Sequence, residues 1–279
     1  MKRRSSSLPL DVVPSSETRP VPWHALAGKR IWITGGAGHL GTPITTALDQ
    51  AGAHTVCIDL AGRADILVKT AGLKNTRPVS MDVNDAGRVA RHTARLCREH
   101  GVPDGVVHLT YASSGGKKLT ELTPAEFQHT LDFSLPPTFA LCRAVAEAMR
   151  DRASGGSVVL FSSMYGLIAP EPRNYPPPMT PNPIDYGASK AAILQMARYF
   201  SAHYGPAGIR FNCVVPGPFP NPAVQRTAPG FIRKLAAKTV LGRIGRNDEI
   251  VGPTLFLLTD SASFVTGHSL VVDGGWTAW

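Results

Sequence analysis

Seven short runs of apolar and β-branched residues recur along the chain and predict strands: Arg30 to Thr34, His54 to Asp59, Pro78 to Asp82, Gly105 to Thr110, Ser157 to Ser162, Ile209 to Val215 and Ser269 to Asp273. Between them, longer amphipathic stretches predict helices over Gly41 to Ala51, Asn84 to His100, Pro124 to Arg150, Tyr186 to Tyr204 and Asp248 to Leu258. Strands that are apolar nearly throughout are buried on both faces, which requires a parallel sheet with helices on each side. The pattern therefore predicts a doubly wound α/β fold. The stretch from Pro170 to Pro183 holds seven prolines and must run as a loop.

With 279 residues and 43% hydrophobic content the chain can bury one large core, and no second domain is required. Residues 1 to 27 precede the first strand. Their basic, Ser-rich start and Pro9, Pro14, Pro20 and Pro22 predict a flexible or extended arm. Leu8-Pro9-Leu10 is too short for the apolar region of a signal peptide. No stretch approaches the roughly 18 apolar residues of a membrane helix, so no membrane partner is expected.

Of the formal charge of +9, residues 1 to 24 hold +2 and the remainder +7. Beyond Lys2-Arg3-Arg4 there is no basic cluster with interleaved aromatics, so no nucleic-acid partner is expected, whereas a polar and even anionic small substrate suits the surplus. Cys57, Cys97, Cys142 and Cys213 lie far apart, as buried free thiols of a reducing cytoplasm would. The nine histidines show no ligand spacing, and no metal is expected.

The chemistry concentrates at strand ends. After the first strand comes Thr34-Gly35-Gly36-Ala37-Gly38-His39-Leu40-Gly41, with Pro43 suited to a helix start. Glycines there allow a tight turn and let backbone amides approach a pyrophosphate. Asp59 ends the second strand, where a carboxylate accepts from an adenosine ribose and repels a 2′-phosphate. That favours NAD, with NADP less favoured because Arg63 is close in sequence. Asp82-Val83 closes the third strand, beside an adenine. Tyr186 and Lys190 stand four apart on one helix face, where an ammonium brings a phenol toward working range.

Together with Ser162-Ser163 at a strand end, Pro216-Gly217 after another, and Val272-Asp273-Gly274-Gly275, these motifs resemble the short-chain dehydrogenase/reductase family of single-domain length over about residues 28 to 279. The resemblance implies a Rossmann-like fold and an NAD(P)-dependent oxidoreductase. It implies that Ser163 hydrogen-bonds the substrate oxygen, Tyr186 is the general acid/base, and Lys190 holds the nicotinamide ribose while lowering the Tyr186 pKa. Gly35, Gly38, His39, Leu40, Gly41, Asp59, Asp82, Val83, Tyr186, Lys190, Pro216 and Gly217 would contact the cofactor. Two departures stand out. Where the family usually carries Asn-Asn-Ala-Gly the chain has His108-Leu109-Thr110-Tyr111, and Ser134 replaces the Asn that positions a relay water.

The glycine spacing resembles that of longer sugar-nucleotide-modifying relatives, which keeps epimerase-like chemistry open. The Pro-rich insertion and the Trp276-Thr277-Ala278-Trp279 ending resemble oxidoreductases of bacterial surface-glycan and unusual-sugar biosynthesis. The expected substrate is thus a secondary alcohol or ketone of a sugar, cyclitol or their phosphate. A ketoacyl-type reductase docking an acidic carrier and a non-catalytic cofactor sensor are the alternatives. Residues 164–185 are expected to wall the pocket. Residues 216–240 are expected to form a lid whose Arg226, Arg233 and Lys234 clamp an anion. The terminal Trp residues are expected at a subunit interface, in a dimer or tetramer as in the family, with burial inside one subunit as the alternative.

Overall fold

A computed structural model describes residues 23–279. The N-terminal arm expected before the first strand lies mostly outside them. Seven parallel strands form one sheet in the order β3-β2-β1-β4-β5-β6-β7. They are β1 (Arg30–Thr34), β2 (His54–Asp59), β3 (Thr76–Ser80), β4 (Gly105–His108), β5 (Gly156–Phe161), β6 (Ile209–Pro216) and β7 (Ser269–Val272). The order reverses between β1 and β4, and such a reversal opens a crevice at the carboxyl ends of the strands.

Helices cover both faces: α1 (Gly41–Gln50), α2 (Arg63–Ala71), α3 (Ala86–His100), α4 (Pro124–Asp151), α5 (Ile184–Tyr204), α6 (Pro222–Thr227), α7 (Pro229–Lys238) and α8 (Val251–Leu258). Alternate strand residues face opposite layers, because the side-chain period of a strand is two. Trp32, Val106 and Val158 pack with Leu96, Met149 and Phe211 under α3, α4 and α5. Ile33, Val107 and Val159 pack with Ile44, Leu48 and Leu257 under α1 and α8. The doubly wound expectation is what the chain adopts.

The third strand is displaced from its expected position. It spans Thr76–Ser80, not Pro78 to Asp82, and is only partly buried. As the edge strand it has a single neighbour, so it tolerates Pro78 and polar side chains that a central strand would exclude. Helix α4 starts from a capping box in which Thr123 and Glu126 satisfy each other's amides. It runs through Pro136 and Pro137, so the carbonyls of Asp132 and Phe133 have no amide donor four residues on. Among the described residues, no helix is long and apolar enough to cross a membrane.

Candidate active site

A cavity of about 520 Å³ runs across the carboxyl ends of the strands from the glycine turn to Ser163, Tyr186 and Lys190. Its first wall is the turn itself. Gly35 has φ +71°, a conformation other residues rarely adopt. A Cβ at Gly41 would lie 2.1 Å from the Gly35 carbonyl, so α1 can start this close to the turn only as glycine. Gly35, Gly38, His39, Leu40 and Gly41 all line the cavity. Burial lowers the His39 pKa, against a backbone hydrogen bond to Phe219 that raises it, and the imidazole links the turn to the segment after β6.

Asp59 is 6% exposed at the end of β2. Its carboxylate accepts from the amides of Ala37 at 2.9 Å and Leu60 at 2.8 Å, which aims it into the crevice from under the glycine turn. Arg63 pairs with it from the solvent side at 3.5 Å. Asp82 and Val83 line the same end, Asp82 accepting from the Asn84 amide at 2.9 Å. Across the crevice stand Pro216 and Gly217. A Cβ on Gly217 would come within 2.5 Å of Asp273, which explains the glycine and ties this wall to the Asp273-Gly274-Gly275 turn.

The donor set suits a dinucleotide: glycine amides at a helix start, a buried carboxylate at the second strand's end, and a lysine and a tyrosine deep in the same crevice. The deep end is built from β5 and α5. Ser163 follows β5 and its Oγ accepts from the Tyr165 amide at 3.2 Å. Its hydroxyl also bonds Tyr186. Lys190 donates to the Phe161 carbonyl at 2.8 Å, and Ser162 donates to the Lys190 carbonyl at 2.8 Å, so α5 is stitched to the end of β5.

Burial dominates the electrostatics of this end. Burial pushes the Tyr186 phenol up to about 12, with the Ser163 bond pulling the other way. Burial brings Lys190 down to about 8. The ammonium lies 5.8 Å from the Tyr186 ring centre and donates to the Phe161 carbonyl.

The altered end of β4 also takes part. His108 is buried, donating and accepting among Thr34 (2.7 Å), Thr138 (2.9 Å) and Thr110 (3.2 Å), and burial drives its pKa to about 3, so it is neutral. Tyr111, 61% exposed, meets Tyr186 edge-on at 5.7 Å and lies 5.3 Å from the Lys190 ammonium. Ser134 does not line the cavity. Its hydroxyl is buried without a partner and its carbonyl accepts from Thr138 at 2.7 Å, while its neighbour Phe133 forms the wall.

Sequence reasoning missed Asp185. Its fully buried carboxylate accepts from the Ser114 amide at 3.0 Å, the Thr130 hydroxyl at 2.5 Å and the Tyr186 amide at 2.9 Å. It thereby fastens the loop after β4, and the start of α4, to the turn of α5 that carries Tyr186. The partners lie 71 and 55 positions away, so no local spacing points to them.

The substrate-side expectations are corrected in two places. Residues 164–181 line neither this cavity nor the one beyond Tyr111; they pack on the lid. Tyr175 meets Phe231 at 5.1 Å, Glu171 pairs with Lys238 at 2.9 Å, and Lys234 donates to the Arg173 carbonyl at 2.7 Å. Lys234 is thus taken by the loop, and Arg226 and Arg233 also stand off the cavities, so the lid brings no anion clamp to the site. Trp276, 4% exposed, is buried within the subunit beside Tyr165 and Phe231, whereas Trp279 is 76% exposed.

A family model described as enoyl-(acyl carrier protein) reductase matches residues 36–277. The 2,5-dichloro-2,5-cyclohexadiene-1,4-diol dehydrogenase of Sphingobium indicum is 29% identical over 256 residues, 91% of this chain and 98% of that protein. The cis-4-hydroxycyclohexanecarboxylate dehydrogenase of Sinomonas cyclohexanicum is 30% identical over 256 residues, again 91% of this chain and 98% of that protein. A crystal structure of a gluconate 5-dehydrogenase from Burkholderia cenocepacia, in complex with NADP and tartrate, has a TM-score of 0.80 at 25% identity, covering 92% of this chain and 98% of its own. With its reversed parallel sheet, its crevice at the reversal and a family match across nearly its whole length, the chain belongs to the short-chain dehydrogenase/reductase family.

Proposed function

We propose that the chain is an NAD-dependent dehydrogenase interconverting a secondary alcohol and its ketone on a polar ring compound. The observation that carries this reading is the meeting of Ser163, Tyr186 and Lys190 at the deep end of the cavity whose other end is the glycine turn and Asp59. A nicotinamide bound there supplies the acceptor or donor of a hydride. Moving a hydride to or from a carbinol carbon requires one proton to move at its oxygen. Ser163 holds that oxygen by a hydrogen bond, and Tyr186 exchanges the proton through its phenol. Lys190 would hold the cofactor's ribose and, as a cation in the same crevice, would favour the Tyr186 phenolate.

The raised Tyr186 pKa keeps the phenol protonated at neutral pH, so it stands ready to donate to a ketone oxygen, and alcohol oxidation draws on the small phenolate fraction. Asp59 supports NAD, because a 2′-phosphate would meet a buried carboxylate already fixed by two amides. The NADP-bound gluconate 5-dehydrogenase supports the other cofactor, with Arg63 as the residue that would receive the phosphate here. Ring alcohols are favoured because two similar proteins are dehydrogenases of ring alcohols. The charge pairing at the site weighs against phosphorylated or carrier-linked substrates.

The test is to follow reduced-nicotinamide absorbance with NAD and NADP in parallel, over cyclic diols, cyclitols and linear polyols and their ketones. Turnover with NAD at least about tenfold better in kcat/KM than with NADP is the expected result. Equal use of both cofactors would remove the Asp59 argument, and no hydride transfer to any alcohol or ketone would remove the dehydrogenase reading.

A further inference from the structure

Beyond Tyr111 a second cavity opens, about 1130 Å³ in volume, between the loop after β4, the first turns of α4 and the start of α5. It shares three walls with the first cavity, Tyr111, Phe133 and Tyr186, so a molecule whose reacting carbon lies at Tyr186 has its remaining atoms beside it. The opposite direction is closed. Between the 164–185 segment and the lid, Tyr165, Tyr175, Phe231, Leu235 and Trp276 form a packed cluster in which the Tyr165 and Tyr175 hydroxyls bond each other at 2.6 Å.

The lining specifies the chemistry of an occupant. Tyr111, Phe133 and His129 offer flat faces. Asn182 offers an amide, and Ser114 offers a buried hydroxyl that has no partner among the described residues. Lys117 is paired with Glu126, whose carboxyl that ammonium holds down at about 2, so the pair brings no net charge to a ligand. Flat faces, a few hydrogen-bonding groups and balanced charge recognise an uncharged hydroxylated ring.

We infer that this second cavity is the subsite for the body of the substrate, and that it selects an uncharged alicyclic diol or polyol over a small acyclic alcohol and over a ring bearing an anionic group. The inference rests on the dehydrogenase reading only for the orientation of the reacting carbon. Ala125, on the first turn of α4, lines the cavity away from the first one, and Ala125→Trp would put an indole into it.

Calorimetric titration of cyclohexane-1,4-diol into the NADH-loaded protein measures the subsite without turnover, because a reduced cofactor accepts no hydride from an alcohol. The expected result is diol binding in the wild type, weakened at least about tenfold by Ala125→Trp, with NAD affinity changed less than twofold. In steady state the same variant should lose about tenfold in kcat/KM for the diol and less than twofold for 2-butanol. Ala125→Leu, a smaller block, should give the same order of effects and serves if the Trp variant does not fold. Equal diol affinity in wild type and both variants, or no diol binding to the wild type, would overturn the subsite. Tighter binding of cis-4-hydroxycyclohexanecarboxylate than of the diol would overturn its preference for uncharged rings. Diol binding with the expected sensitivity but no hydride transfer would leave the subsite standing and remove the dehydrogenase reading.

Discussion

Replacing Asp185 by Ala tests the framework around Tyr186 directly. The carboxylate accepts three hydrogen bonds, from the Ser114 amide, the Thr130 hydroxyl and the Tyr186 amide, and it is completely buried. Three such bonds at about 1 to 1.5 kcal/mol each give a loss of about 3 to 4 kcal/mol. Asp185 also lies in the first turn of α5, where a negative charge adds about 0.5 kcal/mol against the helix dipole. In a chain of this size that lowers the midpoint of thermal unfolding by about 10 °C. Urea unfolding followed by circular dichroism measures the loss. Asp185→Asn, which keeps an acceptor oxygen in the same place, should cost about half as much. Below the melting range, Asp185→Ala should also lower kcat by about tenfold to a hundredfold, because displacing the proton-transferring group by a fraction of an ångström removes the reactive geometry. A stability loss under about 1 kcal/mol would refute the assignment of those three bonds as structural.

Other substitutions address the cavity itself. Tyr186→Phe should lower turnover by about 10²- to 10⁴-fold while leaving the NAD dissociation constant within about twofold, as read by single-turnover absorbance and by calorimetry. Gly41→Ala places a methyl 2.1 Å from the Gly35 carbonyl, so the turn must shift; NAD affinity should fall by about tenfold or more in the same titration. The rate of alcohol oxidation should climb with pH from 7 upward, because the Tyr186 pKa is pushed up to about 12 and its phenolate form grows with each unit. Ketone reduction should stay flat and then fall above about pH 8, where Lys190 loses its proton. Opposite trends in the two directions, read from pH profiles of kcat, would show that another group carries the proton.

The sheet was legible because five of its strands have neighbours on both sides, and the run of the second edge strand, β7, is still apolar. Thr76–Ser80 escaped because an edge strand need not be apolar. Ser163, Tyr186 and Lys190 were legible as residue types at strand and helix starts, and the parallel topology gathers all carboxyl ends on one side. The expectation that Lys190 lowers the Tyr186 pKa came from the four-residue spacing and the family resemblance, which put both groups on one helix face but give neither the burial that raises the phenol nor the 2.8 Å bond from the ammonium to the Phe161 carbonyl. The lid cations were read as a clamp because the sequence shows charges and not their partners: Lys238 meets Glu171, and Lys234 meets a backbone carbonyl 61 positions away. Asp185 and the wall made by Tyr111 depend on contacts between α5 and the loop after β4. Such contacts exist only once the strands are in order.

The fastening between the Pro-rich segment and the lid has a consequence for recombination between relatives. The Tyr175–Phe231 ring contact, the Glu171–Lys238 ion pair and the Lys234 bond to the Arg173 carbonyl join stretches separated by more than fifty positions into one tectonic plate. A chimera that imports the lid alone leaves Glu171 with only its local partner Arg173 at 3.3 Å, and one that imports the Pro-rich segment alone strands Lys238. The heritable module on this side of the crevice is therefore bipartite. Residues 164–183 and 216–240 have to travel together, whereas the loop after β4, fastened through the Ser114 amide to Asp185, can be exchanged wherever α5 keeps that carboxylate.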